Sequence, residues 1–416
     1  MQAPFTVAGI RILAVVSLIA LGAVSDRLLA AEPGGSEQPK SDPFAWFHAP
    51  WAVRTFNVRC DLGQSLRYVL ILRARAGDRV RIHGSCNERI EITQDRLRLE
   101  GVDGGAIDGT GLEPGAPEFN PLVAIDGAQG VVLENLTIRN SSAEGLIARS
   151  GAAVTMRNVT ATANANIGML IDNARVEMDN STVSGNGSGV DAINNSSLVF
   201  TGAIDLTQNG ALGLGSANGT ALELRGAQID ASGNGAFGAV IEGAKLGLFN
   251  FGVSQGSSLT ADDNGMFGIV VTAGGLIDII APPPFYNSGI NVVSASGNGT
   301  AGMYVLGQST VESPFGAATF RFENNPIGVQ VDTNSSMLIV GGMQISGNSD
   351  IGLLADGAGS VTIIPPEADP TAVPSAITGN GTDVSLSFGT RATIAAAVGS
   401  IVCDPSVLVR GSAACP

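Results

Sequence analysis

In this 416-residue chain an asparagine returns at Asn140, Asn164, Asn186, Asn209, Asn234, Asn264, Asn298, Asn324, Asn348 and Asn380. The intervals run from 22 to 34 residues. A glycine four or five residues later opens a short apolar run, as in NANIGMLID, NGAFGAVIE, NGMFGIVVT and NNPIGVQVD. Self-similarity at such a period means stacked supersecondary units, each relying on its neighbours to bury an apolar face. One ordinary core would not hold 416 residues, but a solenoid can.

Aligned on the asparagines, each unit has three short strands. The first reads VVLEN, AVTMRN, RVEMDN, SLVFTG and ALELRG, and turns at Asn135, Asn158, Asn180, Gly202 and Gly226. The second reads LTIRN, VTATAN, STVSGN and IDLTQN, and the third follows the glycine as GLIAR, GMLID, GAVIE and GIVVT. Three alternating strands in 22–24 residues predict a three-sided coil of roughly 11–12 turns. Asn and Gly suit tight corners, because both tolerate a left-handed backbone. Stacked amides can also bond from turn to turn.

This repeat resembles the right-handed parallel β-helix family, the architecture of pectate lyases and many exported repeat proteins. The resemblance spans roughly residues 77–400, opening with GDRVRIHGSCNERIEITQDRLRLEGVDGGAIDGTG. It implies an all-β fold and a right-handed coil. Ahead of it, Leu66, Val69, Leu70 and Ala74 recur near helical spacing. They predict a helix that caps the first turn and covers an aggregation-prone end; another strand is the alternative.

The expected organisation is a signal peptide over 1–31, a linker and N-terminal extension over 32–59, the coil with its cap over 60–400, and a disulfide-stapled tail over 401–416. In the first segment Arg11 precedes an apolar run from Ile12 to Val24, short for a bilayer span. Cleavage fits after Ser25 or after Ala31, and an uncleaved anchor is the alternative. The mature chain is expected to be secreted or periplasmic, monomeric and without a membrane span. Four cysteines in an exported chain suggest two disulfides, with three possible connectivities. The local choice is Cys60–Cys86 and Cys403–Cys415; free buried thiols are the alternative.

A net charge of −15 argues against a nucleic-acid partner, which requires a basic face. It also disfavours steering of a polyanion by the overall field, while a local groove can differ. His48 and His83 are the only histidines, and both precede the regular coil. The family's hydrolase motifs are absent: no Gly-His-Gly and no Arg-Ile-Lys occurs, and Asp262-Asp263 at a corner is the only Asp-Asp pair. The Asp-Pro-His-Asp motif of alginate epimerases is also missing. No zinc spacing, phosphate loop or Ser-His-Asp order appears.

Some carboxylates and cations stay in view as weak candidates. Asp172, Glu242, Asp332 and Asp356 close third strands, and Asp332 and Asp356 lie on consecutive turns. That pair could hold Ca²⁺, or face water. Otherwise no cofactor is expected. If the chain is an enzyme, Arg321, Asp332 and Asp356 are the candidate catalytic residues, and Lys245 is a possible base. Glu134, Arg157 and Asp179 occupy matching positions on consecutive turns and predict an ion ladder.

One pattern concerns ligands. The long intervals carry insertions at about 250–257, 281–289, 313–317 and 365–374, all between the first and second strands. They hold Phe251, Phe285, Tyr286 and Phe315 in a chain that is only 5% aromatic. Insertions at one corner stack into a wall, often a binding face. These four rings are the expected contacts for a polysaccharide or envelope glycan, or else they close a small satellite core. Glycan binding without catalysis is therefore the first expectation. A polysaccharide lyase or glycoside hydrolase is the second, and a structural or adhesive rod the third.

Overall fold

The computed structural model describes residues 53–113, 120–249, 255–280, 290–314, 318–364, 374–411 and 415. The segment read as a signal peptide lies outside them. Among the described residues no helix is long and apolar enough to cross a membrane.

Among the described residues each strand pairs in parallel with its equivalent on a neighbouring turn. On the first side Val131–Glu134 lies beside Ala153–Arg157, and on the second Thr137–Arg139 lies beside Thr160–Thr162. On the third side Leu146–Arg149 lies beside Ile167–Asp172. The first two sides belong to one sheet folded around the corner, because several strands, such as Arg175–Ser184, run through both. The corner residues Asn135, Asn158, Asn180, Gly202 and Gly226 have positive φ, as the strand boundaries required. The third side is a separate ladder of 13 strands among the described residues.

Thirteen turns exceed the expected 11–12 because both ends continue the coil. Thr55–Arg59, within the segment read as an extension, pairs with the strand Arg79–Cys86. Ile401–Cys403 and Leu408–Gly411, within the segment read as a tail, pair with the last regular turn.

Alternation puts side chains from all three sides into the interior, two from the first and third strands and one from the second. Met156, Ala161, Met169 and Ile171 of one turn are fully buried, and so are Met178, Val183, Val190 and nearly every equivalent. Burying one such Met, Val or Ile stabilises by roughly 1.5–3 kcal/mol. The stack ends at the predicted cap. The helix Leu66–Leu72 buries Leu66, Val69 and Leu70, and Ala74 follows them into the core. Ser65 accepts from Tyr68 N, and the Glu88 carboxylate takes the Leu66 and Arg67 amides at 2.5 and 3.2 Å. Both local disulfides form, Cys60–Cys86 and Cys403–Cys415.

The asparagine ladder is real, with two members replaced. Asn164, Asn186, Asn209, Asn234, Asn264, Asn298, Asn325, Asn348 and Asn380 are bonded in sequence. Each Oδ1 accepts the backbone N–H and the side-chain amide of the previous member; Asn209 Oδ1, for example, takes Asn186 N at 3.0 Å and Asn186 Nδ2 at 3.2 Å. Asn324 and Asn140 are not members. Both sit one residue early, at φ 58° and 59°, where other turns have Gly185, Gly233 or Gly297. The left-handed corner therefore precedes the ladder position, and Asn is chosen at the ladder for its amide. Asn140 instead donates to Asp108 Oδ1 at 3.0 Å, and Ser141 N bonds to Asn164 Oδ1 at the ladder's start.

The ion ladder does not form as expected. Glu134 and Arg157 are in register, but Glu134 pairs with Arg98, and Asp179 accepts from the Thr201 hydroxyl at 3.0 Å.

Candidate functional site

The third side is flat and regular, and its outward positions form long rows. One row runs from Ala124 through Ile147, Leu170, Asp191, Gly215 and Val240. It continues through Val270, Tyr304, Gln330 and Leu354. A second row, three residues earlier on the same strands, brings Phe237 beside Phe267. The rings of Phe237 and Phe267 are stacked, with centroids 6.0 Å apart and planes at 8°. Phe267 in turn stacks on Tyr304 at 5.7 Å and 19°. All three rings are half-buried, so their rims reach solvent as one apolar strip across three turns.

The Tyr304 hydroxyl donates to Asp332 at 3.4 Å. Burial, and then the Asp332 charge, push the Tyr304 phenol above its ordinary value. It is thus a phenol at neutral pH, able to donate a hydrogen bond and unsuited to act as a base. Asp332 and Asp356 do lie on consecutive turns, as their backbone bonds to Val305 and Val331 show. Each carboxylate also accepts from the next residue's amide, Thr333 N and Gly357 N, both at 2.6 Å. Among the described residues no third carboxylate joins them. Among the described residues the one group of three potential metal ligands is Cys60, Cys86 and Glu88, whose sulfurs are already bonded to each other.

Asp191 is the one carboxylate inside the apolar row. Its row neighbours are Leu170 and Gly215, and its Oδ1 lies 2.7 Å from where a Cβ on Gly215 would stand. The missing side chain lets the carboxyl lie over the next turn. Burial raises its pKa; the Ala192 amide opposes this and the Glu242 charge adds to it.

Toward the helical cap the same surface deepens. A cavity of about 520 Å³ is lined by Arg67 of the helix, by Arg89, Asn120 and Arg149, and by Ala124 and Ile147 of the outward row. Arg149 also borders a neighbouring depression of about 410 Å³ beside Asp172 and Asn194.

The sequence-derived candidates divide among several places. Phe251, Phe285, Tyr286 and Phe315 lie outside the described residues. Their insertions do fall between first-side and second-side strands, after Phe249, Ile280, Ser313 and Ile364. Arg321 is exposed on the second side, between Ser294 and Gln344, so it does not share the third side with Asp332 and Asp356. Lys245 is ion-paired with Asp278 at 2.8 Å. Asp262 braces a corner by accepting Ser296 N at 2.7 Å and the Ser294 hydroxyl at 3.2 Å. Burial raises its pKa, with Asp263 and Asp230 adding to the effect.

Comparison with known proteins agrees with this geometry. The family model described as right handed beta helix region matches residues 121–312. The chain is a right-handed parallel β-helix. Among solved structures, the β-helix is similar to the A-module of mannuronan C-5 epimerase AlgE6 from Azotobacter vinelandii. Identity there is 13%, with 80% of this chain and 91% of that chain covered and a TM-score of 0.46. Pectate lyase Pel9A is similar at 13% identity, 66% and 79% coverage and a TM-score of 0.40. An alginate lyase from Paenibacillus sp. str. FPU-7 is similar at 14% identity, 74% and 99% coverage and a TM-score of 0.33. Likeness at this level concerns the fold alone. No curated protein matches the chain.

Two features of this surface escaped the reading of the sequence. Phe237 and Phe267 stand at the same offset from Asn234 and Asn264, in NGAFG and NGMFG, and that signal was legible. Asp191 and Tyr304 join the row only through strand register.

Proposed function

We propose that this β-helix binds a polysaccharide along the outward surface of its third side, without converting it. The observation that carries this reading is the strip of Phe237, Phe267 and Tyr304. Half-exposed ring rims in register along a flat sheet offer apolar contact to sugar C–H groups, and the Tyr304–Asp332 pair adds hydrogen-bonding groups at the strip's edge. The two disulfides suit an oxidising compartment, so the reading includes export and action as a monomer on an envelope or extracellular glycan. A Ca²⁺ ion between Asp332 and Asp356 is not needed for this reading.

The test is titration of the full chain with neutral and acidic oligosaccharides, followed by calorimetry. Phe237→Ala with Phe267→Ala should lower affinity about fivefold or more, since ring contacts of this kind contribute roughly 0.5–1.5 kcal/mol each. Unchanged affinity in a folded double variant sinks the reading.

A second reading, lyase or hydrolase, is favoured by one observation. Asp191 is a carboxyl with a raised pKa on the same surface, and a retained proton is what a general acid needs. New reducing ends or unsaturated products from a glycan, lost in Asp191→Asn, would replace binding with catalysis.

A further inference from the structure

The cavity beside the helical cap differs in kind from the aromatic strip. Its polar lining is dominated by donors: the guanidinium groups of Arg67, Arg89 and Arg149, and the amide of Asn120. Two of these donor atoms, Arg89 Nε and Asn120 Nδ2, are buried without a hydrogen-bond partner among the described residues. Buried donors are nearly always satisfied, and an orphan calls for an explanation. Arg89 does place its Nη2 on the Glu113 carbonyl at 2.8 Å, which anchors the guanidinium without neutralising it.

The charge balance points the same way. Of the three arginines only Arg149 has an ion-pair partner among the described residues, Asp126 at 2.8 Å. Glu91 also lines the cavity and is the one carboxylate in its lining. Three guanidinium groups therefore converge in a protein whose net charge is −15. Scattered surface charge does not produce this, and a pocket of this sign focuses anions locally whatever the overall field.

We propose that this cavity is an oxyanion site that takes the carboxylate of an acidic sugar at one end of the bound polysaccharide. The group it recognises is a planar carboxylate, which can accept two parallel hydrogen bonds from a guanidinium fork. The proposal rests on the glycan reading above. The link is the floor: Ala124 and Ile147 belong to the outward row that continues through Leu170 and Asp191 toward the aromatic strip. A chain lying on the strip would thus have its end directed to the arginines.

The test compares four probes on the full chain by calorimetry: glucuronate, glucose, an acidic tetrasaccharide and its carboxyl-reduced neutral counterpart. Glucuronate should bind and glucose should not. The acidic tetrasaccharide should bind more tightly than either, with an affinity that falls as salt rises. Arg89→Gln should lower its affinity about tenfold or more. Arg67→Gln, at an exposed helix position that leaves folding intact, should weaken it in the same direction. Neither substitution should alter binding of the neutral tetrasaccharide to the strip. Equal affinity of the acidic and neutral tetrasaccharides overturns the proposal, as does indifference to both arginine substitutions. If no tetrasaccharide binds while glucuronate binds in an Arg89-dependent way, the polysaccharide reading fails and the oxyanion site stands. If glucuronate binds as tightly as the acidic tetrasaccharide, the anion is a free small acid and its attachment to a glycan is refuted.

Discussion

The side-chain amide nitrogen of Asn186 lies 2.8 Å from where a Cβ on Gly168 would stand. Val183 crowds the same point from the second side. The glycine that opens the third strand is thus required by the ladder amide of the next turn, and the same holds for Gly213 against Asn234 at 2.8 Å. This is why asparagine and glycine recur together in the sequence.

From that contact, Gly168→Ala should destabilise by about 1–3 kcal/mol, the usual cost of overpacking. Asn186→Leu removes the acceptor of the Asn164 backbone N–H and amide, 3.0 and 2.9 Å away, which orphans the buried N–H and leaves the amide only the Ile138 carbonyl at 3.4 Å. The cost is about 1–3 kcal/mol per unsatisfied group. Denaturant melts of the two variants check this. A double variant should lose less than the sum, because the residues touch.

The ladder and three-sided strand pattern were legible because each repeats in the chain and obeys a local rule. The exceptions show the limit. Asn324-Asn325 offers two asparagines, and only the backbone reveals that Asn324 takes the left-handed corner while Asn325 takes the buried amide position. Asn140 stands at that same corner before Ser141. The site was less legible. Aromatics are conspicuous in the insertions, while Phe237 and Phe267 look like ordinary strand residues until their outward direction is known. Arg67, Arg89 and Arg149 are far apart in sequence, and the cap and the first turns bring them together.

At the far end a carboxylate finishes the ladder. Asp383 Oδ1 accepts Asn380 N at 3.0 Å and Asn380 Nδ2 at 2.9 Å, and its Oδ2 accepts Ser400 N at 2.7 Å. Burial acts to raise its pKa, but these bonds outweigh it and hold the carboxyl below its ordinary value. Its stabilisation is therefore present above the unfolded-state pKa and is lost as pH falls through the lower folded value. Hydrogen exchange of residues 380–403 should accelerate in acid before the central turns do. Asp383→Asn should cost about 1–3 kcal/mol at pH 7 and far less at pH 2. Uniform acid loosening along the coil would disprove the local role.

The disulfides should act as staples for the ends. Cys60–Cys86 closes 26 residues and fixes the turn before the cap to the first coil strand, while Cys403–Cys415 closes 12 residues on the last turn. Loops of this size correspond to roughly 3 kcal/mol each in the chain-entropy account. Because repeat stability is largely nearest-neighbour, reduction should open the terminal turns and leave the protection of residues near Asn209–Asn264 unchanged. Limited proteolysis with and without reductant reads this directly, and cleavage beginning in the centre would contradict it.

Asp191 allows the sharpest separation of stability from function. Burial between Leu170 and Gly215 raises its folded-state pKa, with the Glu242 charge adding to the effect. Its contribution is thus most favourable below the unfolded pKa and is lost as pH rises through the raised folded value. Above the ordinary carboxylate pKa, keeping Asp191 in this buried place is a cost that Asn does not incur. Asp191→Asn should therefore raise the melting temperature at pH 7 and above, with no gain near pH 3, where the native residue is already neutral. A carboxylate retained at a stability cost is expected to serve the surface it occupies. The same variant should therefore lose affinity for a glycan on the third side, or any turnover of one, while becoming more stable. Lower stability at pH 7 would show that Asp191 is a structural bond-maker and would remove the case for its role in binding or catalysis.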